Sequence, residues 1–149
     1  MAEYEHSGDG VDPSQLLEFI RQSPEKMALP KGSLLFHEGE PCSGAYYVED
    51  GELDLIITSG EKRLKVGSAH AGHLLGVSSV ISNSEHQCSA YAAKESKVVF
   101  IAAEAMRKYL RQNAEICLYA VQEMGAELLD LSEKAIRPLR LQPRYPKPL

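Results

Sequence analysis

A mainly β fold, a sandwich or roll with flanking helices and a long C-terminal helix, is predicted for this chain from three observations. First, short β-type runs between Gly32 and Ile101 alternate with clusters of Gly, Asp, Asn and Ser, the rhythm of strands and tight turns. Second, the apolar period changes after Ala102 from that of strands to that of helices. Third, the chain has 149 residues, 44% hydrophobic and 25% charged, which suits one soluble domain with a real core.

The elements follow in order. Residues 1–10, MAEYEHSGDG, are polar and acidic and read as a disordered leader. They lack the basic start and apolar core of a signal peptide. Asp12-Pro13 starts a helix, with Asp as N-cap and Pro at the first helical position. Leu16, Leu17 and Ile20 fall on its inner face with Phe19 alongside, and it stops before Pro24. It packs as a lid on the β core.

Strand runs come next at Leu34-Leu35-Phe36 and at Ala45-Tyr46-Tyr47-Val48. Leu53, Leu55 and Ile57 alternate with Asp54 and Ile56, as in a half-buried strand. Ser59-Gly60 signals a hairpin leading to Arg63-Leu64-Lys65-Val66. Leu74 and Leu75 run into Gly76, then a serine-rich helical turn, a polar loop over residues 82–87 and a strand from Cys88. Val98-Val99-Phe100-Ile101 closes the series.

A short amphipathic helix runs from Glu104 to Arg111 with Met106, Tyr109 and Leu110 inward. Asn113 is a good N-cap for a longer helix over residues 113–137. Val121, Leu128 and Ala135 recur every seventh residue, as do Cys117, Met124 and Leu131. That seam predicts paired helices, hence a homodimer, with packing onto the chain's own β core as the alternative. Residues 138–149 contain Pro138, Pro143, Pro146 and Pro148 with Arg140, Arg144 and Lys147, and form an extended basic tail. The domain plan is therefore a leader at 1–10, a β body at 11–112, a helix at 113–137 and a tail at 138–149.

Composition excludes several functions. A net charge of −5 argues against nucleic-acid binding by the whole surface. Cys42, Cys88 and Cys117 are odd in number and far apart, so neither a disulfide frame nor a zinc ribbon is expected, and a reducing cytoplasm is. No apolar run reaches membrane-spanning length. No Gly-x-Ser-x-Gly elbow or Ser/His/Asp grouping marks an enzyme, and none is expected. His70, His73, His86 and Cys88 lie close in sequence but match no firm metal or haem spacing, and the histidines read as ordinary surface or loop residues.

The stretch that organises the chain is Leu75-Gly76-Val77-Ser78. Gly76 permits a tight turn and close backbone approach, and the helical turn after it offers free N–H groups to an anion. Around it the order Gly32-x6-Gly39, Gly51, Gly72-His73-Leu74-Leu75-Gly76 and Cys88-Ser89-Ala90-Tyr91-Ala92-Ala93 resembles the cyclic nucleotide-binding domain family in its Crp/Fnr branch. The resemblance covers about Leu16 to Ile136. It implies a β-roll of jelly-roll type, an effector-sensing module and a dimer helix of the catabolite-activator type. The family holds its cyclic phosphate with Gly-Glu, a spacer, then Arg and small residues. Here Gly76 matches the glycine, Val77 stands at the Glu, Gln87 at the Arg (His86 if the loop differs by one residue) and Cys88 at the adjoining position. In Leu131-Ser132-Glu133-Lys134, Leu131 replaces the threonine of the family's base-reading Thr-Ser-Glu-Lys run and Ser132 keeps its serine.

Those replacements have a direction. Gln lacks the charged fork of Arg, a loss of about 1 kcal/mol or more. Val accepts no bond from a ribose hydroxyl, which costs about 1–3 kcal/mol. Absent or weak cyclic AMP binding is therefore expected. The ligand is then a weakly held cyclic nucleotide or another small effector on an apolar wall of Leu75, Val77 and Leu131, with Ser78, Gln87 and Ser89 as polar anchors. An empty, collapsed pocket is the equal alternative, and with it a ligand-free dimerisation or docking module. About a dozen residues after Arg137 leave no room for a recognition-helix pair, so direct DNA reading is not expected.

Overall fold

In the computed structural model the described residues are 14–123 and 128–131. Helix α1 (Ser14–Arg21) leads into β1 (Lys26–Leu29), β2 (Leu34–Phe36), β3 (Gly44–Asp50), β4 (Glu52–Ser59), β5 (Lys62–His70) and β6 (His73–Leu75). Then come α2 (Val77–Ser82), β7 (Ser89–Ala92), β8 (Ser96–Ala102), α3 (Ala103–Gln112), α4 (Ala114–Glu123) and β9 (Leu128–Asp130). Two antiparallel sheets result, a five-stranded one in the order β1-β8-β3-β6-β9 and a four-stranded one in the order β2-β7-β4-β5.

The two sheets differ in what covers them, and the sequence pattern follows. The central strands of the five-stranded sheet, β8, β3 and β6, are covered on both faces. Ala45, Tyr47, Leu74, Val99, Ile101 and Leu129 meet the helices through Leu16, Ile20, Val77, Met106 and Leu110. Their neighbours Tyr46, Val48, Leu75, Val98, Phe100 and Leu128 point the other way, into the roll between the sheets. A strand covered on both sides reads as an unbroken apolar run, as Ala45-Tyr46-Tyr47-Val48 does. The four-stranded sheet buries only its inner face. On β4 Leu53 and Leu55 are buried while Asp54 pairs outward with Lys65 Nζ at 3.0 Å, which produces simple alternation. Burying a side chain such as Leu16 or Ile20 contributes about 1.5–3 kcal/mol, so α1 is held by its inner face.

Turn chemistry sets the connections. Gly60 takes φ 66° in the β4–β5 hairpin, which pairs Ser59 with Lys62 and carries a bulge at Leu55/Ile56. Asn113 opens α4 with its carbonyl, which accepts from Cys117 N–H at 3.0 Å. Its side chain does not cap α4: Nδ2 donates back to the Tyr109 carbonyl at 2.8 Å and so closes α3. The expected cap at Asp12 lies outside the described residues.

Two elements depart from expectation. Strand β1 has no apolar pattern to announce it, since only Leu29 of its residues is buried. Its place at the sheet edge, paired with β8 from Lys26↔Val99 to Leu29↔Ser96, is a tertiary effect. The larger correction concerns the helix expected over 113–137. Helix α4 spans Ala114–Glu123, but Leu128–Asp130 is a strand paired antiparallel to β6, His73↔Asp130 to Leu75↔Leu128. Leu128 and Leu129 face opposite cores there, and Leu131 N–H donates to the Gly72 carbonyl at 2.8 Å. Pairing satisfies the outer edge of β6, which a helix would leave open. Leu128 and Leu131 thus serve the chain's own fold and not a seam between helices. Cys117, another seam position, packs against the chain's own core, whereas Met124 and Ala135, the leader and the basic tail lie outside the described residues, as do the side chains of Tyr119 and Val121. Among the described residues, no helix is long and apolar enough to cross a membrane.

Candidate functional site

Strand β6 ends at Leu75, and Gly76 turns the chain with φ 88° and ψ 0° into α2. The turn is tight against β3: a Cβ on Gly76 would lie 3.0 Å from the Gly44 carbonyl oxygen and 3.6 Å from His86 Cε1. Both the left-handed φ and the contact demand glycine. Val80 N–H closes the first turn onto the Gly76 carbonyl at 3.0 Å. Ser79 then folds the following loop back, its Oγ donating to the Glu85 carbonyl at 3.1 Å and its own carbonyl accepting from Ser84 N–H at 3.0 Å. Asn83, at φ 55°, makes that reversal possible.

The returning loop is stitched to the segment after β2. His86 N–H donates to the Glu40 carbonyl at 2.9 Å, and the His86 carbonyl accepts from Gly39 N–H at 2.9 Å. The imidazole of His86 is buried and stacks on Phe36, with ring centroids 3.8 Å apart and planes 12° from parallel. Phe36 in turn leans on Tyr46, and Tyr46 on Phe100, at 5.5 and 5.1 Å. Cys42 Sγ donates to the Gly44 carbonyl at 3.2 Å and approaches the Gly76 carbonyl at 3.7 Å. Gly76, Gly44, Cys42 and His86 are therefore the groups gathered at the turn.

The residues singled out from the sequence are distributed as follows. Gly76, Val77 and Ser78 form the turn, with Ser78 half-buried. Ser89 is buried, its Oγ accepting from Glu38 N–H at 2.8 Å, and Cys88 lies in the core between the sheets. Gln87 is exposed, whereas His86 is inside. Of the two candidates for the arginine position, His86 is thus the one beside Gly76. His86 packs inward on Phe36 from the loop before β7, while Gln87 lies exposed in the bend that follows. The expected wall of Leu75, Val77 and Leu131 needs correction. Leu75 belongs to the roll interior, but Val77 and Leu131 belong to the core beneath the helices, because the turn at Gly76 carries the chain across the sheet. Ser132 lies outside the described residues. The Phe36–His86 stack and the approach of Cys42 to the Gly76 carbonyl were not foreseen, since they join segments 50 and 34 residues apart.

Glu38 Oε1 accepts from Thr58 N–H at 2.9 Å, and Glu40 Oε1 accepts from His37 N–H at 2.8 Å. Both carboxylates are thus engaged with the backbone of their surroundings. Burial raises the Tyr46 phenol above its ordinary range, a bond with Ser43 opposes this, and Cys42 and Glu40 add to it. Among the described residues no group of three or more His, Cys, Asp or Glu could hold a metal ion.

The comparisons agree with this architecture. The model of the family described as "Cyclic nucleotide-binding domain" matches residues 26–113, and the chain belongs to that family. An uncharacterised protein of Haemophilus influenzae is 25% identical over 107 residues, covering 70% of this chain and 82% of its own. A putative cAMP-binding regulatory protein from Silicibacter pomeroyi has the same fold, with a TM-score of 0.64 at 21% identity over 74% of this chain and 51% of that one. The cAMP-bound form of the EAL enzyme Bd1971 superposes with a TM-score of 0.59 at 15% identity, over 78% of this chain and 28% of that one. The chain therefore spans about half of the Silicibacter pomeroyi protein and about a quarter of the enzyme.

Proposed function

Starting from membership of the cyclic nucleotide-binding domain family, we propose that the chain is an effector-sensing regulatory module of the Crp/Fnr type with weak affinity for cyclic AMP. The observation that carries the reading is the character of the Gly76 turn. Val77 is buried and apolar, and the group beside Gly76 is the imidazole of His86 stacked on Phe36. Neither supplies the permanent cationic fork that a cyclic phosphate engages. Ligand recognition then rests on Gly76, Ser78, Cys88 and Ser89, with His86, whose ring lies beside Gly76, in place of Gln87. A role as a sensor and not an enzyme, outside the membrane and in the cytoplasm, belongs to the same proposal. That the EAL enzyme Bd1971, part of which shares this fold, has a cAMP-bound form supports the ligand class. Calorimetry with cyclic AMP tests it: no binding, or binding weaker than the micromolar range, is expected, and tight binding overturns the claim of weak affinity.

A second reading, a ligand-free docking scaffold, is favoured by the filling of the roll. Phe36, Tyr46 and His86 are each less than a tenth exposed and stack into one another. A thermal-shift screen of nucleotides and small metabolites separates the two, because a ligand that binds only the folded state raises the melting temperature. Homodimerisation is proposed on a narrower basis than the heptad seam: Leu118 on α4 is 56% exposed and is the apolar side chain that such an association would cover. Sedimentation equilibrium decides it, with a monomer at all concentrations as the contrary result.

A further inference from the structure

We propose that His73 is an acid-sensitive latch that holds strand β9 on the edge of β6. This inference concerns regulation of the fold and does not depend on which ligand, if any, the roll takes.

The latch is built from one imidazole with both nitrogens committed. His73 Nδ1 accepts a hydrogen bond from the main-chain N–H of His70 at 2.9 Å. An accepting Nδ1 carries a lone pair, so the ring proton of the neutral imidazole sits on Nε2. Nε2 faces Asp130 Oδ2 of β9 at 3.6 Å. Level with this pair, His73 and Asp130 are partners in the β6–β9 register. The neutral ring thus bridges the end of β5 to β9. A second proton on Nδ1 would place N–H against N–H and remove the His70 bond.

Protonation would strengthen the attraction to Asp130, so the magnitudes must be compared. The pair is long, and Asp130 is 40% exposed, where ion pairs contribute only about 0–1 kcal/mol. The His73 side chain is 15% exposed, so its charged form loses most of its hydration. Burial lowers the His73 pKa from the ordinary 6.5, Asp130 opposes this and His70 adds to it, with burial the largest influence. Asp130 and His70 are the ionisable groups that act on the ring. Val48 on β3 accepts from Gly72 N–H beside the ring's own strand, and Glu52 on β4 is paired with His70 and not with His73. The neutral form therefore favours the docked strand. The latch is complete above the ordinary imidazole range and is released as the pH falls through the lowered value. Release of β9 would uncover Leu129 and Leu131, each 1% exposed when docked, together with the edge of β6.

Amide hydrogen exchange by NMR on the full chain tests this, with intrinsic rates corrected, from about pH 8 to about pH 5, the range in which histidine titrates. The Leu131 amide, bonded to Gly72, reports the latch, and the amides pairing β3 with β8 report the body of the fold. The expected result is loss of Leu131 protection through the His73 titration while β3–β8 protection holds. His73→Gln is expected to abolish that pH dependence. Asp130→Asn is expected to move the transition to lower pH, since the carboxylate favouring imidazolium is gone. Equal behaviour of the two sets of amides at every pH, or the wild-type dependence persisting in His73→Gln, would overturn the proposal. Should His73→Gln not fold, a transition unmoved in Asp130→Asn overturns it.

Discussion

Ser96 occupies the space in which any residue other than glycine at position 51 would carry its Cβ. A Cβ built on Gly51 meets the Oγ of Ser96 directly and its Cα at 2.6 Å, and Gly51 stands at φ 105°. The β3–β4 turn therefore depends on a missing side chain for two separate reasons. Gly51→Ala is expected to lower stability by about 2–4 kcal/mol, from backbone strain plus a clash with main chain. Gly60→Ala is the control: its φ is 66° and nothing lies within 4 Å, so only about 1–2 kcal/mol is expected. Urea denaturation of both variants checks the difference; equal losses would refute the role given to Ser96.

The hydroxyl of Ser96 has its own work at that turn. It accepts from Glu52 N–H at 3.1 Å and donates to the Lys94 carbonyl at 2.8 Å, at a residue 1% exposed. Ser96→Ala leaves the Glu52 N–H and the Lys94 carbonyl without this partner. A loss of about 1–3 kcal/mol is expected, measured by the same denaturation, with a neutral effect as the contrary outcome.

The C-terminal strand can be tested through its side chains. Leu131 lies 1% exposed in the core beneath the helices. Leu131→Ala is expected to cost about 2–5 kcal/mol, and the change in melting temperature should not depend on protein concentration. A concentration-dependent loss would restore the intermolecular seam that the heptad pattern suggests.

Alkaline pH offers a fourth test. Burial raises the phenol pKa of Tyr46, Tyr47 and Tyr109 above the ordinary 10.0. The folded state thus holds their protons more tightly than the unfolded state. Their contribution is complete below the ordinary value and is lost as pH rises through the raised ones. Ultraviolet difference titration should show part of the tyrosine signal appearing only with alkaline unfolding. A single transition at the ordinary value would contradict this.

The fold was legible where the local pattern and the tertiary environment agree. Alternation of Leu53, Leu55 and Ile57 marks β4 because one side of its sheet faces solvent. The Ser59-Gly60 turn and the glycine order do the same for the hairpin and the roll. Residues 26–29 could not be read, since an edge strand with one buried residue has no period. Leu128-Leu129 was misread because two adjacent apolar residues suit a helix seam and a doubly covered strand equally well. At the site, Gly76 was legible from its own chemistry. The choice between His86 and Gln87, like the Phe36 stack, turns on a pairing of distant loops that no local period announces.

Leu74 and Leu75 are consecutive, yet they lie in separate interiors. Strand β6 is in this sense a party wall with a tenant on each side. Sliding it by a single residue would exchange the two leucines and evict both at once, so its position is all-or-nothing. Any event that does reset it, on either side, is announced next door without a messenger.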